Sequence, residues 1–115
     1  MNPFVQFYLE SALFFTDKDT EPFNSLSETY SISDFAETSI QEATKDCEQI
    51  LEEQNIPDNQ SMAIDFWLTR NYNGSGFWDN EDLTEEEQKS VTEYVHSNFQ
   101  EKCVYLGEDG LLYFE

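Results

Sequence analysis

The sequence predicts an α+β domain in which a small antiparallel sheet of four strands, arranged as two hairpins, is covered by about three helices. Two segments, 34–54 and 84–99, repeat apolar residues with helical spacing behind a capping signal. Two others, 63–78 and 103–114, combine strand-forming residues with glycine-containing turns. With a further helix at the start, the element order is α-α-β-β-α-β-β, and residues 1–115 form one acidic domain.

The first helix is predicted from Pro3 to Phe15. Asn2 is suited to accept a hydrogen bond from the first turn, and Pro3 suits the first helical position because a backbone N–H has no partner there. Residues 16–32 are mostly polar and contain Pro22, so they are expected to form a loop.

The clearest helix is predicted from Asp34 to Gln54. Asp34, with Glu37 three residues later, resembles a capping box, and Pro57 follows the segment. One face of this helix is apolar and contains Ala36, Ile40, Ala43, Cys47, Ile50 and Leu51. The remaining arc carries the carboxylates of Glu37, Glu42, Asp46, Glu48, Glu52 and Glu53.

Another helix is predicted from Thr84 to Phe99. Thr84 and Glu87 have the spacing of a capping box, and Glu85 and Glu86 lie in the same first turn, where the helix dipole favours negative charge. The buried face is expected to contain Val91, Tyr94, Val95 and Phe99.

The first hairpin is predicted around a tip at 71–74. Residues 63–71 alternate, with Ile64, Phe66 and Leu68 on one side, which is typical of a half-buried strand. The return strand is expected at Phe77 and Trp78.

The second hairpin is predicted to pair Val104–Leu106 with Leu111–Phe114. The dipeptide Asp109-Gly110 lies between these segments, and it is favoured in tight hairpin turns because glycine adopts a positive φ without strain. The two hairpins together are expected to supply the four strands of one sheet.

The charge of the chain is far from neutral. There are 25 Asp and Glu against five Lys and Arg, so the formal net charge is −20. Ten Phe, six Tyr and two Trp can build a core, which disordered acidic segments lack. A folded polyanion is attracted to basic surfaces and repels nucleic acid and anionic membranes. The composition therefore predicts a basic protein partner, such as a DNA-binding protein, and no direct contact with nucleic acid or membrane.

The sequence also bears on the cellular location of the protein and on the redox state of its two cysteines. No signal peptide is recognisable, and no apolar run approaches the ~18 residues that a membrane span needs. We expect a cytoplasmic protein, monomeric or homodimeric. Cys47 and Cys103 are expected to be reduced and buried.

Three segments resemble a family of small acidic bacteriophage proteins. They are YLESAL at 8–13, DFWLTRN followed by GFWD at 65–79, and VYLGEDGLLY at 104–113. The resemblance covers most of the chain and implies a phage protein in the cytoplasm of a host cell; the family is largely uncharacterised, so the resemblance supplies no catalytic residues. Tyr72 and Asn73 stand where relatives often carry Gly-His, which weakens any role for a histidine there.

Signals for specific chemistry are weak. The run 79–82 resembles half of a calcium loop but lacks its central glycine and its bidentate glutamate, so a solvated loop is favoured. One histidine and two separated cysteines do not form a zinc motif. His96 is expected to be partly exposed, and Arg70 to lie at the edge of the core. We predict no enzymatic activity, cofactor or metal.

The leading functional hypothesis is a phage-encoded inhibitor that mimics the charge of DNA. Its carboxylates would occupy the basic nucleic-acid-binding surface of a host DNA-processing or defence protein. Besides the acidic arc of the 34–54 helix, the predicted contacts are Asp79, Glu81, Asp82, Glu85, Glu86 and Glu87. The alternative is a non-enzymatic interaction module that contacts a protein through Tyr72, Phe77 and Trp78. A third possibility is that the acidic faces only keep the protein soluble.

Overall fold

The computed structural model of the chain describes residues 1–18, 21–73 and 75–115. These residues form a mostly helical protein with four α-helices, α1 (Pro3–Phe14), α2 (Glu37–Glu53), α3 (Gln60–Arg70) and α4 (Glu85–Asn98). They also form two separate antiparallel ribbons, β1 (Asp17–Lys18) with β2 (Glu21–Ser25) and β3 (Val104–Leu106) with β4 (Leu112–Phe114). The prediction of one four-stranded sheet covered by three helices is therefore wrong.

The largest error concerns the predicted strand 63–71: residues 63–70 lie in helix α3, and Asn71 is its C-cap. The helix begins after Asn59, whose side chain accepts a hydrogen bond from the Met62 N–H at 3.0 Å. Residues 66–70 are all buried, so side chains of both parities are enclosed. Alternation over so few residues does not distinguish a strand from a helix that is buried on most sides.

The predicted return strand is also absent. Phe77–Asp79 form a short 3-10 turn whose Phe77 N–H donates to the buried Thr69 hydroxyl at 2.9 Å. Gly74, the last residue of the predicted tip, lies outside the described residues.

Helix α1 begins where it was predicted. The Asn2 side chain accepts a hydrogen bond from the Phe4 N–H at 2.8 Å, and the helix ends one residue before Phe15. The prediction of a loop over 16–32 is wrong in part, because this stretch includes β1, β2 and a 3-10 turn at Leu26–Glu28.

Helix α2 begins three residues later than predicted, with Ala36 at its N-cap. Asp34 belongs instead to a preceding 3-10 turn, where its carboxylate accepts from the Ser31 N–H at 2.8 Å. In α4 the predicted capping box is confirmed, since Thr84 and Glu87 exchange hydrogen bonds of 2.9 and 3.2 Å.

The second hairpin is confirmed, with its return strand starting at Leu112. Val104 pairs with Phe114 and Leu106 with Leu112. The ribbon is attached to the start of α2, because the Ala36 N–H donates to the Leu112 carbonyl at 3.0 Å.

The core lies between α1 and α3 and is closed by the other elements. The ring of Tyr8 lies 5.2 Å from that of Phe66 and 5.5 Å from that of Trp67. The buried side chains of α2 and α4 belong to the same core; they are Ala43, Cys47 and Ile50 in α2 and Val91 and Val95 in α4. The solvent-facing side chains of these helices therefore project from a fixed scaffold.

Candidate functional site: an acidic surface

The carboxylates of α2 fall into two rows. At about 100° per residue, Glu37, Glu48 and Glu52 lie within an arc of about 60°. Glu42 and Glu53 lie on the opposite flank of the exposed face. All five are exposed. We call this set the α2 acidic face.

Asp46 does not belong to that exposed set. Its carboxylate accepts a hydrogen bond from Arg70 Nη1 at 2.9 Å, and only 2% of the Arg70 side chain is exposed. The same nitrogen donates to the Tyr8 hydroxyl at 2.8 Å, and Arg70 Nε donates to the Gln100 carbonyl at 2.9 Å. The placement of Asp46 among the partner-binding residues is therefore corrected, because it neutralises an interior cation.

The interior around Arg70 is also aromatic. The guanidinium carbon lies 5.6 Å from the centre of the Phe66 ring and 5.3 Å from that of Phe99. Arg70 is thus enclosed in the core and does not lie at its edge, as the sequence suggested. Burial raises the pKa of the nearby Tyr8 hydroxyl, which keeps it protonated as a neighbour of the guanidinium.

One carboxylate of the α2 acidic face also meets a cation of the chain. Glu42 pairs with Lys102 at 2.8 Å, and 43% of the Glu42 side chain is exposed. An exposed pair of this kind contributes at most about 1 kcal/mol. Glu42 can therefore exchange this lysine for another cation at little cost.

A second group of acids surrounds the start of α4. Asp79, Glu81, Asp82, Glu85 and Glu86 are exposed, and we call them the acidic corner. Glu87 is half-buried and is engaged in the capping box of α4.

The acidic corner is held by the buried Asn80. Its side-chain oxygen accepts from the Asp82 N–H at 2.9 Å, and its amide donates to Ser61 Oγ at 3.1 Å and to the Asp65 carboxylate. Its backbone carbonyl accepts from Gln88 Nε2 at 2.7 Å. The loop is therefore fixed to both α3 and α4, which supports the role of Asn80 as a structural anchor.

The concavity beside Asn80 is polar and includes Asp65 and Asp79. Burial raises the pKa of the Asp65 carboxyl; the hydrogen bond from Asn80 opposes this change, and the charge of Asp79 adds to it. Among the described residues, no group of three or more His, Cys, Asp or Glu side chains is placed to hold a metal ion.

The three aromatic residues that were predicted to contact a partner lie in different environments in the structure. Phe77 is fully buried, so its inclusion in an aromatic contact surface is wrong. Trp78 is 38% exposed and Tyr72 is 58% exposed. The ring of Tyr72 stacks on that of His96 at 4.1 Å, and His96 Nε2 lies 2.9 Å from the Thr69 carbonyl.

Sequence reasoning missed several exposed apolar side chains. Phe14 and Phe15 are exposed at the end of α1, where their rings meet edge to face at 4.9 Å. Tyr105 and Leu106 are exposed on β3. The sequence of α1 has apolar residues on more than one side of the helix, and this excess was a signal that Phe14 and Phe15 would be exposed.

The two cysteines differ in environment. Cys47 is buried in α2, and burial raises the pKa of its thiol. Cys103 is exposed, so its predicted burial is wrong.

Comparisons with protein-family models, with curated proteins and with solved structures give no match for this chain. None of the helices in the described ranges is both long and apolar enough to cross a membrane.

Proposed function

We propose that this protein binds the basic, nucleic-acid-binding surface of a host DNA-processing or defence protein, and blocks it by imitating the charge of DNA. The observation that carries the proposal is the burial of Arg70 against Asp46. Setting that pair aside leaves 25 − 1 = 24 acidic residues against 5 − 1 = 4 lysines in the sequence. The cation best suited to bind a phosphate is thus withdrawn from the surface, which supports an anionic binding face.

The spacing of the α2 acidic face supports imitation of a phosphate backbone. Glu48 and Glu52 are four residues apart, which is about 6 Å along a helix axis. Alternate phosphates on one strand of duplex DNA are about 7 Å apart along the axis of the duplex. A basic cleft that binds alternate phosphates would therefore meet carboxylates at a comparable interval.

A rigid array makes such imitation effective. The carboxylates are attached to helices packed on a common core, so they lose little conformational freedom beyond that of their own side chains when they bind. Excess negative charge also accelerates encounter with a cationic partner at low salt. The resemblance to phage proteins supports a bacterial host and its cytoplasm as the setting.

The test uses a charge variant with a matched control. Glu37, Glu48, Glu52 and Glu53 are changed together to Gln, which alters the net charge from −20 to −20 + 4 = −16. The control variant removes four other exposed charges that lie outside both acidic surfaces and the β3–β4 ribbon, by changing Glu10, Glu28 and Glu93 to Gln and Asp58 to Asn. Each protein is immobilised and exposed to a bacterial lysate, and bound proteins are released with duplex DNA.

We expect the wild type and the control variant to retain DNA-binding proteins that duplex DNA releases. The four-residue α2 variant should lose them, because about four ion contacts are removed from one face. Equal retention by all three proteins, or retained proteins that duplex DNA does not release, would contradict the proposal.

A second candidate function is a salt-resistant contact through aromatic side chains. The exposure of Tyr72 and Trp78 supports it. Binding that survives about 0.5 M NaCl, where charges are screened within a few ångströms, would favour this mode over charge imitation.

A further inference from the structure

The β3–β4 ribbon has one strand edge that the chain itself does not use. Cys103 and Glu115 exchange backbone hydrogen bonds of 3.1 and 2.9 Å. In an antiparallel ladder, hydrogen-bonded residue pairs alternate with pairs that are not hydrogen-bonded. Tyr105 lies two residues after Cys103, so its backbone N–H and C=O also point towards β4. Those of Val104 and Leu106 then point away from β4, to the outer edge of the ribbon.

The opposite edge of the ribbon is occupied. The Leu112 carbonyl on β4 accepts from the Ala36 N–H at 3.0 Å and from Ser39 Oγ at 3.3 Å. On the β3 side, no backbone hydrogen bond within residues 1–18, 21–73 and 75–115 reaches the outward groups of Val104 or Leu106. The open edge is therefore the β3 edge.

The surroundings of the β3 edge are apolar and negative. Tyr105 and Leu106 are exposed, and the Tyr105 ring stacks across the ribbon on that of Tyr113 at 5.7 Å. The adjacent cation, Lys102, is paired with Glu42. Exposed acids precede the strand, lie in the turn and end the ribbon: Glu101, Glu108, Asp109 and Glu115.

Charge decides between two occupants of this edge. A second copy of the chain would bring the same acids to the same place, and two bodies of net charge −20 repel each other. A cationic strand would meet carboxylates at both ends of β3. Backbone pairing does not depend on the partner's side chains, which are then free to supply the positive charge.

We propose that the β3 edge adds one extended, basic segment of the partner protein as a third strand of the ribbon. This inference rests on the proposed function for the sign of the partner's charge, and it adds the mode of contact. Because β3 has three residues, the added strand sets orientation and register, while the carboxylates supply most of the attraction.

The first test uses a peptide of about seven alternating lysines and valines, since such a peptide spans the edge with residues to spare. A matched peptide has the same side chains but N-methyl groups on alternate backbone amides, so it keeps the charge and cannot pair along one edge. Amide hydrogen exchange is followed by NMR at about 0.15 M salt.

In the free protein the Tyr105 amide should be protected from exchange, while the Leu106 amide exchanges rapidly. The unmodified peptide should slow exchange at Val104 and Leu106 about tenfold or more, and the methylated peptide should not. Unchanged exchange at these two amides with both peptides would overturn the inference. Protection that grows with protein concentration in the absence of peptide would also overturn it, in favour of a second copy.

A variant separates this inference from the proposed function. Leu106→Pro removes a backbone N–H that points away from β4 and takes no part in the pairing with β4. Leu106→Ala is the control, and circular dichroism checks that both variants fold. Loss of peptide binding in the proline variant alone supports the added strand. Unchanged peptide binding in a folded proline variant would contradict the added strand, even when the α2 glutamine variant has lost its partners. Should the proline variant not fold, the exchange experiment on the wild type decides.

Discussion

The guanidinium of Arg70 and the carboxylate of Asp46 form a hydrogen-bonded ion pair, 2.9 Å long, that joins the end of α3 to the middle of α2. Side-chain exposure is 2% for Arg70 and 21% for Asp46. Through this pair Asp46 is attached to the core, whereas the other acids of the α2 arc are exposed. The pair also sets apart two kinds of acid in this protein, those that hold the fold and those that are exposed to solvent.

Replacing Asp46 by Ala should destabilise the fold by about 3 kcal/mol or more, because it leaves a buried cation without its counter-ion. Glu42→Ala is the matched control on the same helix, and its loss should stay below about 1 kcal/mol since its pair with Lys102 is exposed. Urea unfolding curves measure both changes. Equal losses for the two variants would show that the Arg70 contact is not the stronger one.

Tyr72 adopts a left-handed backbone conformation, with φ 54°. It follows the end of α3, where Asn73 N–H donates to the Leu68 carbonyl at 3.1 Å and Tyr72 N–H to the Thr69 carbonyl at 3.2 Å. This is the Schellman pattern, in which glycine is usual at the position of Tyr72.

Tyr72→Gly should therefore be more stable than Tyr72→Ala by about 1 kcal/mol. Both variants lose the stacking on His96, but only glycine relieves the backbone. Thermal unfolding of the two variants under one condition gives the comparison. A more stable alanine variant would contradict the strained conformation of Tyr72.

Gly76 lies where a side chain has no room. A Cβ atom there would collide with the Thr69 hydroxyl and would lie 2.9 Å from the ring of Trp78. Gly76→Ala should thus cost about 2 kcal/mol or more and should disturb the hydrogen bond between Phe77 and Thr69. Gly110→Asn is the control, because that glycine has open space around it and asparagine tolerates its φ of 84°. Denaturant midpoints that fall equally would argue against the steric account.

The raised pKa of Asp65 makes a pH-dependent prediction. The folded state binds the Asp65 proton more tightly than the unfolded chain, whose carboxyl has a pKa of 3.8. The charged form therefore destabilises the fold at pH 7, and this cost disappears as the pH falls below the unfolded value. Asp65→Asn keeps an oxygen that can accept from Asn80 and removes the charge.

We expect Asp65→Asn to raise the melting temperature at pH 7 and to have little effect below about pH 3.5. The exposed Asp58→Asn variant corrects for the general benefit of removing one negative charge. A larger gain at low pH than at pH 7 would contradict the direction of the shift.

The elements that the sequence predicted well are those whose signals are local. Asn2 caps α1 and Thr84 caps α4 through side chains two and three residues from their partners, so neighbouring residues alone carry the information. The turn of the β3–β4 hairpin is likewise contained in Asp109 and Gly110. The high negative charge and the exposure of most acids of α2 also follow from composition and helical spacing.

Tertiary structure decided the rest. Residues 63–70 form a helix because α1 and the elements after it enclose their side chains on most sides, which a short alternating pattern does not reveal. Asp46 has the same helical spacing as its exposed neighbours, yet its role depends on Arg70, 24 residues later. Burial of a charge and the choice of its counter-ion are set by the packing of distant segments, so they are decided only when those segments meet.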